Sequence, residues 1–253
     1  MFDEPFATGR SFIHRIDPRH RIVIAVVYSF VVALTDRFAP LTGALIVSLA
    51  LAALARLRPA AVWRRLKVVF GFLALIWIVL PLTTGTPFLA RIGPMGISTA
   101  GVLLAARISL KTTAILIEFT ALVATMPLAT LGHALGQIKM PEKLVYLVLM
   151  TYRYIHLLEN EYQRTVRAIR LRGFLPGTNM HTYKTYAYLI GMLFVRSVAR
   201  AERIEWAMRC RGFRGRFYHL VDFVPTPATW IFSAMMGIII FWIAILEWGP
   251  HLW

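Results

Sequence analysis

The chain has 253 residues, 58% of them hydrophobic, and a mean hydropathy of +0.64, which excludes an ordinary soluble domain. It also carries 28 Lys+Arg against 12 Asp+Glu, a formal net charge of +16, so charge and apolar surface must be segregated along the chain. A single cysteine, Cys210, excludes an internal disulfide framework and any cysteine-cluster metal site.

The first twenty residues are charged and hold Asp17-Pro18 in place of an apolar run. No cleavable signal peptide is expected, and the first hydrophobic helix serves as its own targeting signal. Asp17-Pro18 reads as a helix start, with Asp capping free amides and Pro at the first helical position. An apolar run from Ile22 to Thr35 follows, and Arg19 and Arg21 are expected to snorkel to lipid headgroups. After the short break Asp36-Arg37, a second run extends from Phe38 to Ala55. These two form a tight transmembrane hairpin, each arm near the lower end of the roughly 17–25 residues a span requires.

Arg64, Arg65 and Lys67 precede a third run, Val68 to Leu82, which is expected to end at Pro81 before the loop Thr83 to Pro87. A fourth, from about Ile97 to Met126, holds Arg107, Lys111 and Glu118. Charges at that depth must face protein or water. Two readings stay open: an ion relay, or a Lys111–Glu118 pair that braces the helix. Pro227 to Leu246 makes the last span. Five spans with the N-terminus cytoplasmic and the C-terminus external place the basic segments on one side, as the positive-inside rule requires.

About a hundred residues separate spans four and five, and Lys139 to Asp222 holds 15 Lys+Arg against 6 Asp+Glu. Leu144, Val148, Tyr152, Ile155, Leu158, Tyr162, Val166 and Ile169 step by 4, 4, 3, 3, 4, 4 and 3, one apolar stripe on a helix from Glu142 to Arg172. A second helix, from about Thr182 to Arg211, carries Ile190, Leu193, Ser197, Ala201, Ile204 and Met208 on one face, and pairs Glu205 with Arg209. The expected organisation is therefore transmembrane helices over 1–126, a cytoplasmic module over 127–222, and a last span with an external tail over 223–253.

The two helices end alike. Arg164, Ala168, Arg170, Arg172, Gly173 and Phe174 recur 39 residues later as Arg203, Ala207, Arg209, Arg211, Gly212 and Phe213. A glycine just past the last turn permits a left-handed cap, and the arginines suit the negative end of the helix dipole. Two such tips on one chain suit a partner present twice, because a guanidinium binds carboxylates in a bidentate way.

Ser11-Phe-Ile-His-Arg-Ile-Asp-Pro-Arg19, with the paired tips Leu171-Arg172-Gly173 and Cys210-Arg211-Gly212, resembles the transmembrane T component of energy-coupling factor (ECF) transporters. Thr151 to His156, Arg170 to Phe174, Asn179 to Tyr183 and Arg209 to Gly215 are most similar to CbiQ, the cobalt-system member. The resemblance runs over nearly the whole chain. It implies an all-α integral membrane protein with coupling helices inserted before the last span, in the plasma (inner) membrane of a prokaryote. It further implies that Arg172 and Arg211, flanked by Leu171, Gly173, Cys210 and Gly212 and supported by Arg170, Phe174, Arg209 and Phe213, dock in the grooves of two cytoplasmic CbiO-like ATPases. A CbiM-like substrate-binding membrane subunit, with a small CbiN-like accessory subunit, would complete the complex.

Under that resemblance ATP is used by the partners and cobalt (or nickel) is the cargo. No cofactor is expected on this chain: His156, His181, His219, Met140, Met150 and Met180 show no ligand spacing. No Walker motif, H-E-x-x-H or G-x-S-x-G occurs, so the chain is expected to be non-enzymatic. The basic stretch Arg209 to Arg216, with Phe213 and Phe217, fits a protein or lipid-headgroup surface rather than nucleic acid. The alternative reading is a stand-alone secondary transporter using the charges of helix four.

Overall fold

Asp17 and Pro18 start the first long helix as their chemistry requires: Pro18 takes the first helical position and the Asp17 carboxylate accepts from the Arg19 backbone N–H. The computed structural model describes residues 11–83, 88–92, 95–213, 223 and 226–249, with the backbone alone for 88–92 and 95–97. The helices are α1 (Pro18–Leu34), α2 (Phe38–Leu54), α3 (Pro59–Thr83), α4 (Thr99–Leu122), α5 (Leu128–Gln137), α6 (Glu142–Leu171), α7 (Met180–Cys210) and α8 (Pro227–Trp248). A short 3-10 turn, Phe12–Arg15, precedes α1. The chain divides into two compact units: Glu4–Leu131 with Phe223–Trp253, and Gly132–Asp222.

In the first unit α3, α4 and α8, at 25, 24 and 22 residues, are each long and apolar enough to cross a membrane. Helices α1 and α2 have 17 residues apiece, at the short limit of a span. Ala25, Ala44, Ala114 and Ala121 are fully buried where α1, α2 and α4 meet, so the backbones approach closely. Phe232, Met236 and Ile243 of α8 join Tyr28, Val32 and Leu41 in the same core. Outward-facing residues stay apolar, as in Phe30, Ile46, Val68, Phe72 and Phe241, which lipid-facing surface requires.

Charged side chains close the ends of these helices. Lys111 of α4 donates to the Ala33 carbonyl in the last turn of α1 (3.0 Å) and to Asp36 (2.9 Å). Glu247 of α8 accepts from the backbone N–H groups of Asp36 (3.0 Å) and Arg37 (3.1 Å), at the free amides that start α2. Arg21 is buried and donates to the Leu122 carbonyl (2.6 Å) and the Thr125 hydroxyl, at the end of α4.

Several expectations are corrected here. Arg21 does not snorkel, because the orphan carbonyl of α4 holds it inside; Arg19 is tied to Asp17 (2.7 Å) and to the Phe223 carbonyl (2.5 Å). Lys111 and Glu118 do not pair, since Lys111 is taken by the α1–α2 turn while Glu118 is buried with the Ser29 hydroxyl at 3.4 Å. Helix α3 includes Arg64, Arg65 and Lys67 and runs through Pro81 to Thr83; Pro81 removes one i→i−4 bond, to the Trp77 carbonyl, and the helix ends two residues further on. The loop with Arg91 holds an antiparallel hairpin, β1 (Phe88–Ile92) and β2 (Met95–Ser98), with Arg91 opposite Gly96; it leaves the architecture all-α in class. Thr84 to Pro87, the region of His219, the stretch Arg214 to Phe217 and residues 250–253 lie outside the described residues.

Candidate functional site: paired arginine tips

The second unit is built on α6 and α7, of 30 and 31 residues. They run antiparallel. Tyr146, early in α6, meets Phe213, just past α7, with ring centroids 6.3 Å apart. Midway, Glu161 of α6 binds Arg200 (2.6 Å) and Arg196 (3.4 Å) of α7. At the other end Phe174, just past α6, packs edge-on against Tyr186 (5.9 Å) and beside His181 (6.0 Å).

On α7 the residues turned inward include Thr182, Leu189, Leu193, Ser197, Arg200, Ile204 and Met208. Ile190 is 64% exposed and Ala201 is also exposed, so the face expected from the sequence is offset by part of a turn. The helix has apolar residues on both faces, and periodicity alone does not choose between them. On α6 the expected stripe is only half covered, with Leu144, Ile155, Leu158 and Tyr162 exposed.

Both tips close with the same hydrogen-bond pattern. At the end of α6, Gly173 N–H donates to the Arg170 carbonyl (3.0 Å) and Phe174 N–H to that of Ile169 (3.3 Å), with Gly173 at φ +84°. At the end of α7, Gly212 N–H donates to Arg209 (3.0 Å) and Phe213 N–H to Met208 (3.0 Å), with Gly212 at φ +78°. Each is a Schellman cap, in which the glycine takes the left-handed conformation and two orphan carbonyls are satisfied.

Arg172 and Arg211 are the C-cap residues, with φ −87° at both, and both are exposed. Beside them Leu171 is 89% exposed and Cys210 is also exposed. Phe174 and Phe213 turn back and are half-buried against aromatic neighbours. The cap thus buries the phenylalanine and presents the arginine.

The tips are not identical. Arg209 is held by Glu205 (2.5 Å) and lies over the Trp206 ring (5.6 Å). Val166 stands on α6 where Glu205 stands on α7, so Arg170 has no such brace from its own helix.

Because the helices are antiparallel, the structure does not bring the two tips together. It holds them at opposite ends of a pair roughly 45 Å long, the length of 30 residues at the helical rise. The 39-residue echo relates Glu161 to Arg200, and these two residues contact each other at the middle of the pair. The repeat is therefore a pseudo-twofold axis through that ion pair. Sequence reading missed this centre, since it sought identical residues and the relation here is complementary charge.

Residues 9–221 match the family model described as cobalt transport protein, CbiQ. The chain belongs to the CbiQ family. It is similar to the energy-coupling factor transporter transmembrane protein EcfT of Leuconostoc gelidum subsp. gasicomitatum, at 27% identity with 96% of each chain covered. The EcfT of Brevibacillus brevis is 30% identical, with 83% of each chain covered. The cobalt transport protein CbiQ of Rhodobacter capsulatus is 30% identical over 72% of this chain and 74% of the relative. As a CbiQ-family member the chain is the transmembrane component of an ECF-type transporter, and a multi-pass membrane protein.

Proposed function

We propose that this chain is the non-catalytic coupling subunit of an ATP-driven importer, with cobalt (or nickel) as cargo. Arg172 and Arg211 each dock into a groove of one of two CbiO-like ATPases on the cytoplasmic side. Helices α6 and α7 pass ATPase closure on to a CbiM-like substrate-binding membrane subunit, with a CbiN-like accessory beside it. Five spans, a cytoplasmic N-terminus and an external C-terminus in a prokaryotic plasma membrane complete the reading.

The observation that carries it is the pair of matched, exposed arginine caps related by a pseudo-twofold axis through Glu161 and Arg200. A partner present twice and itself related by a twofold axis fits such an arrangement. An exposed guanidinium beside a fully presented apolar Leu171, or beside Cys210, suits a groove that offers carboxylates and an apolar wall. Cobalt is favoured by the family's description and by the Rhodobacter relative's name.

The test is co-purification with the cognate ATPases. Arg172→Ala with Arg211→Ala should abolish assembly, or uncouple ATP hydrolysis from metal uptake. Normal assembly and uptake by the double variant would refute the proposal.

A further inference from the structure

A cavity of about 460 Å³ opens at the start of α1 and the end of α2, lined by Ser11, Phe12, Arg15, Ala53, Leu54 and Arg56. Its charge is one-sided: among the described residues two arginines and no carboxylate line it. Neither Arg15 nor Arg56 has an acidic partner among the described residues. Ser11 is buried, with its hydroxyl and His14 Nδ1 hydrogen-bonded at 2.7 Å, which fixes the turn that carries Phe12 and Arg15.

The backbone adds a second observation. Helix α2 ends in a Schellman cap, with Arg56 N–H donating to the Ala53 carbonyl (2.9 Å) and Leu57 N–H to that of Ala52 (3.2 Å). The left-handed position that Gly173 and Gly212 fill elsewhere is occupied here by Arg56, at φ 51°. Lys139 holds the same conformation after α5, where a cation beside a helix C-terminus is reason enough. Arg56 shares that reason and has another. Its conformation puts it on the cavity lip together with Arg15, and strained positions of this kind concentrate at binding sites.

The walls are apolar. Phe12 and Leu54 are 47% and 43% exposed, and Ala50 and Ile46 extend the exposed apolar face of α2 from Leu54 at four-residue steps. A ligand that fits has a phosphate for two arginines and a hydrocarbon chain for the side of α2. We infer that this cavity binds the phosphate of an anionic phospholipid, with the headgroup between Arg15 and Arg56 and an acyl chain along Leu54, Ala50 and Ile46. Basic residues at a membrane surface contribute roughly five- to sixfold in anionic-lipid affinity apiece, so the pair is expected to give about 30-fold.

The experiment uses the full-length chain in detergent micelles supplemented with phosphatidylglycerol or phosphatidylcholine. Retained lipid is counted by native mass spectrometry. The unaltered chain should hold one phosphatidylglycerol in strong preference to phosphatidylcholine. Arg15→Gln with Arg56→Gln should reduce that preference about 30-fold, with Arg58→Gln as the neighbouring control that leaves it unchanged. Arg56→Gly relieves the backbone strain, so it keeps the fold at least as stable and should still lose most of its share of the preference. Equal retention by the double variant would overturn the inference. So would competition by glycerol 3-phosphate or inorganic phosphate as strong as that by the lipid, since the site would then take free phosphate. Lipid retention is read without ATPases, so its failure is distinct from a failure of the docking proposal.

Discussion

Replacing Gly173 by alanine isolates the contribution of one cap. A Cβ added at position 173 would meet no atom within 4 Å, so packing does not resist the change. The whole effect comes from the backbone: φ at +84° is a conformation that an L-residue adopts only under strain. Alanine in the left-handed region costs roughly 1–2 kcal/mol, and that shifts a local equilibrium by about 5–30-fold. The cap is the weakest part of the helix, so the strain is relieved by opening it, with loss of the bonds from Gly173 and Phe174 to Arg170 and Ile169. Amide hydrogen exchange in the peptide holding Gly173 and Phe174 should therefore accelerate by about 5–30-fold. The repeat supplies an internal control, because Gly212 and Phe213 carry the same cap and should exchange as before. Asparagine tolerates the left-handed region better than alanine, so Gly173→Asn should lie between glycine and alanine. ATPase co-purification should follow the same order if a rigid tip is what docks. Equal exchange in the three proteins, or an order in which asparagine is worse than alanine, would refute the account of the tip as a glycine-dependent cap.

Glu161→Gln should leave both tips folded and ATPase assembly intact while lowering uptake per ATP hydrolysed; exchanging the charges, Glu161→Arg with Arg200→Glu, should restore part of it. Glu247→Ala removes the acceptor for the amides that start α2 and should destabilise the protein by roughly 1.5–3 kcal/mol, seen as a lower thermal midpoint in detergent, with Glu247→Gln milder. Stability should also fall in acid. Burial raises the Asp17 carboxyl, but hydrogen bonds from the Arg19 side chain and backbone outweigh it, and the net position is below the usual 3.8. The hydrogen bond from Lys111, with its charge, holds Asp36 below the same value. The unfolded chain thus binds these protons first, so the stabilisation is complete above about pH 4 and is lost as pH falls through the lowered values. Chemical denaturation across that window checks it, and Asp36→Asn with Asp17→Asn should flatten the slope.

Features fixed by local chemistry were legible in the sequence. The start of α1 follows from Asp17-Pro18, and the ends of α6 and α7 follow from an arginine and a glycine repeated at a constant offset. The 39-residue echo was also readable, and the exposure of Arg172 and Arg211 agrees with it. Tertiary choices were not readable. Arg21 looks like a residue for the lipid headgroups until the end of α4 is placed beside it. The inward face of α7 includes polar Thr182 and Arg200, while its outward face includes Ile190, Phe194 and Val198, so hydrophobicity does not point to the partner helix. Helix α5 is only ten residues, so the steps of 3, 4 and 3 from Leu128 through Leu131 and Leu135 to Ile138 cover too short a window to stand out, and strands of four and five residues leave no period to detect.

The charges of α4 bear on where function lies in this chain. A relay across the membrane needs titratable groups that can pass a proton or ion to one another. Lys111 is instead committed to a carbonyl at the end of α1 and to Asp36, and Arg107 lies over the Phe38 ring at 5.2 Å. Together with Arg21 and Glu247, these residues meet the orphan backbone groups and aromatic faces at the ends of neighbouring helices, which cannot be left bare in lipid. Glu118 alone is spent on nothing of the kind: it is buried, and one of its oxygens lacks a hydrogen-bond partner. A single carboxyl with one serine at 3.4 Å makes a point of contact between α1 and α4, not a path. The membrane unit therefore has the character of a scaffold whose charges lock its helices together. Arg172 and Arg211, exposed at the tips of α6 and α7, are among the cations that take no part in this locking.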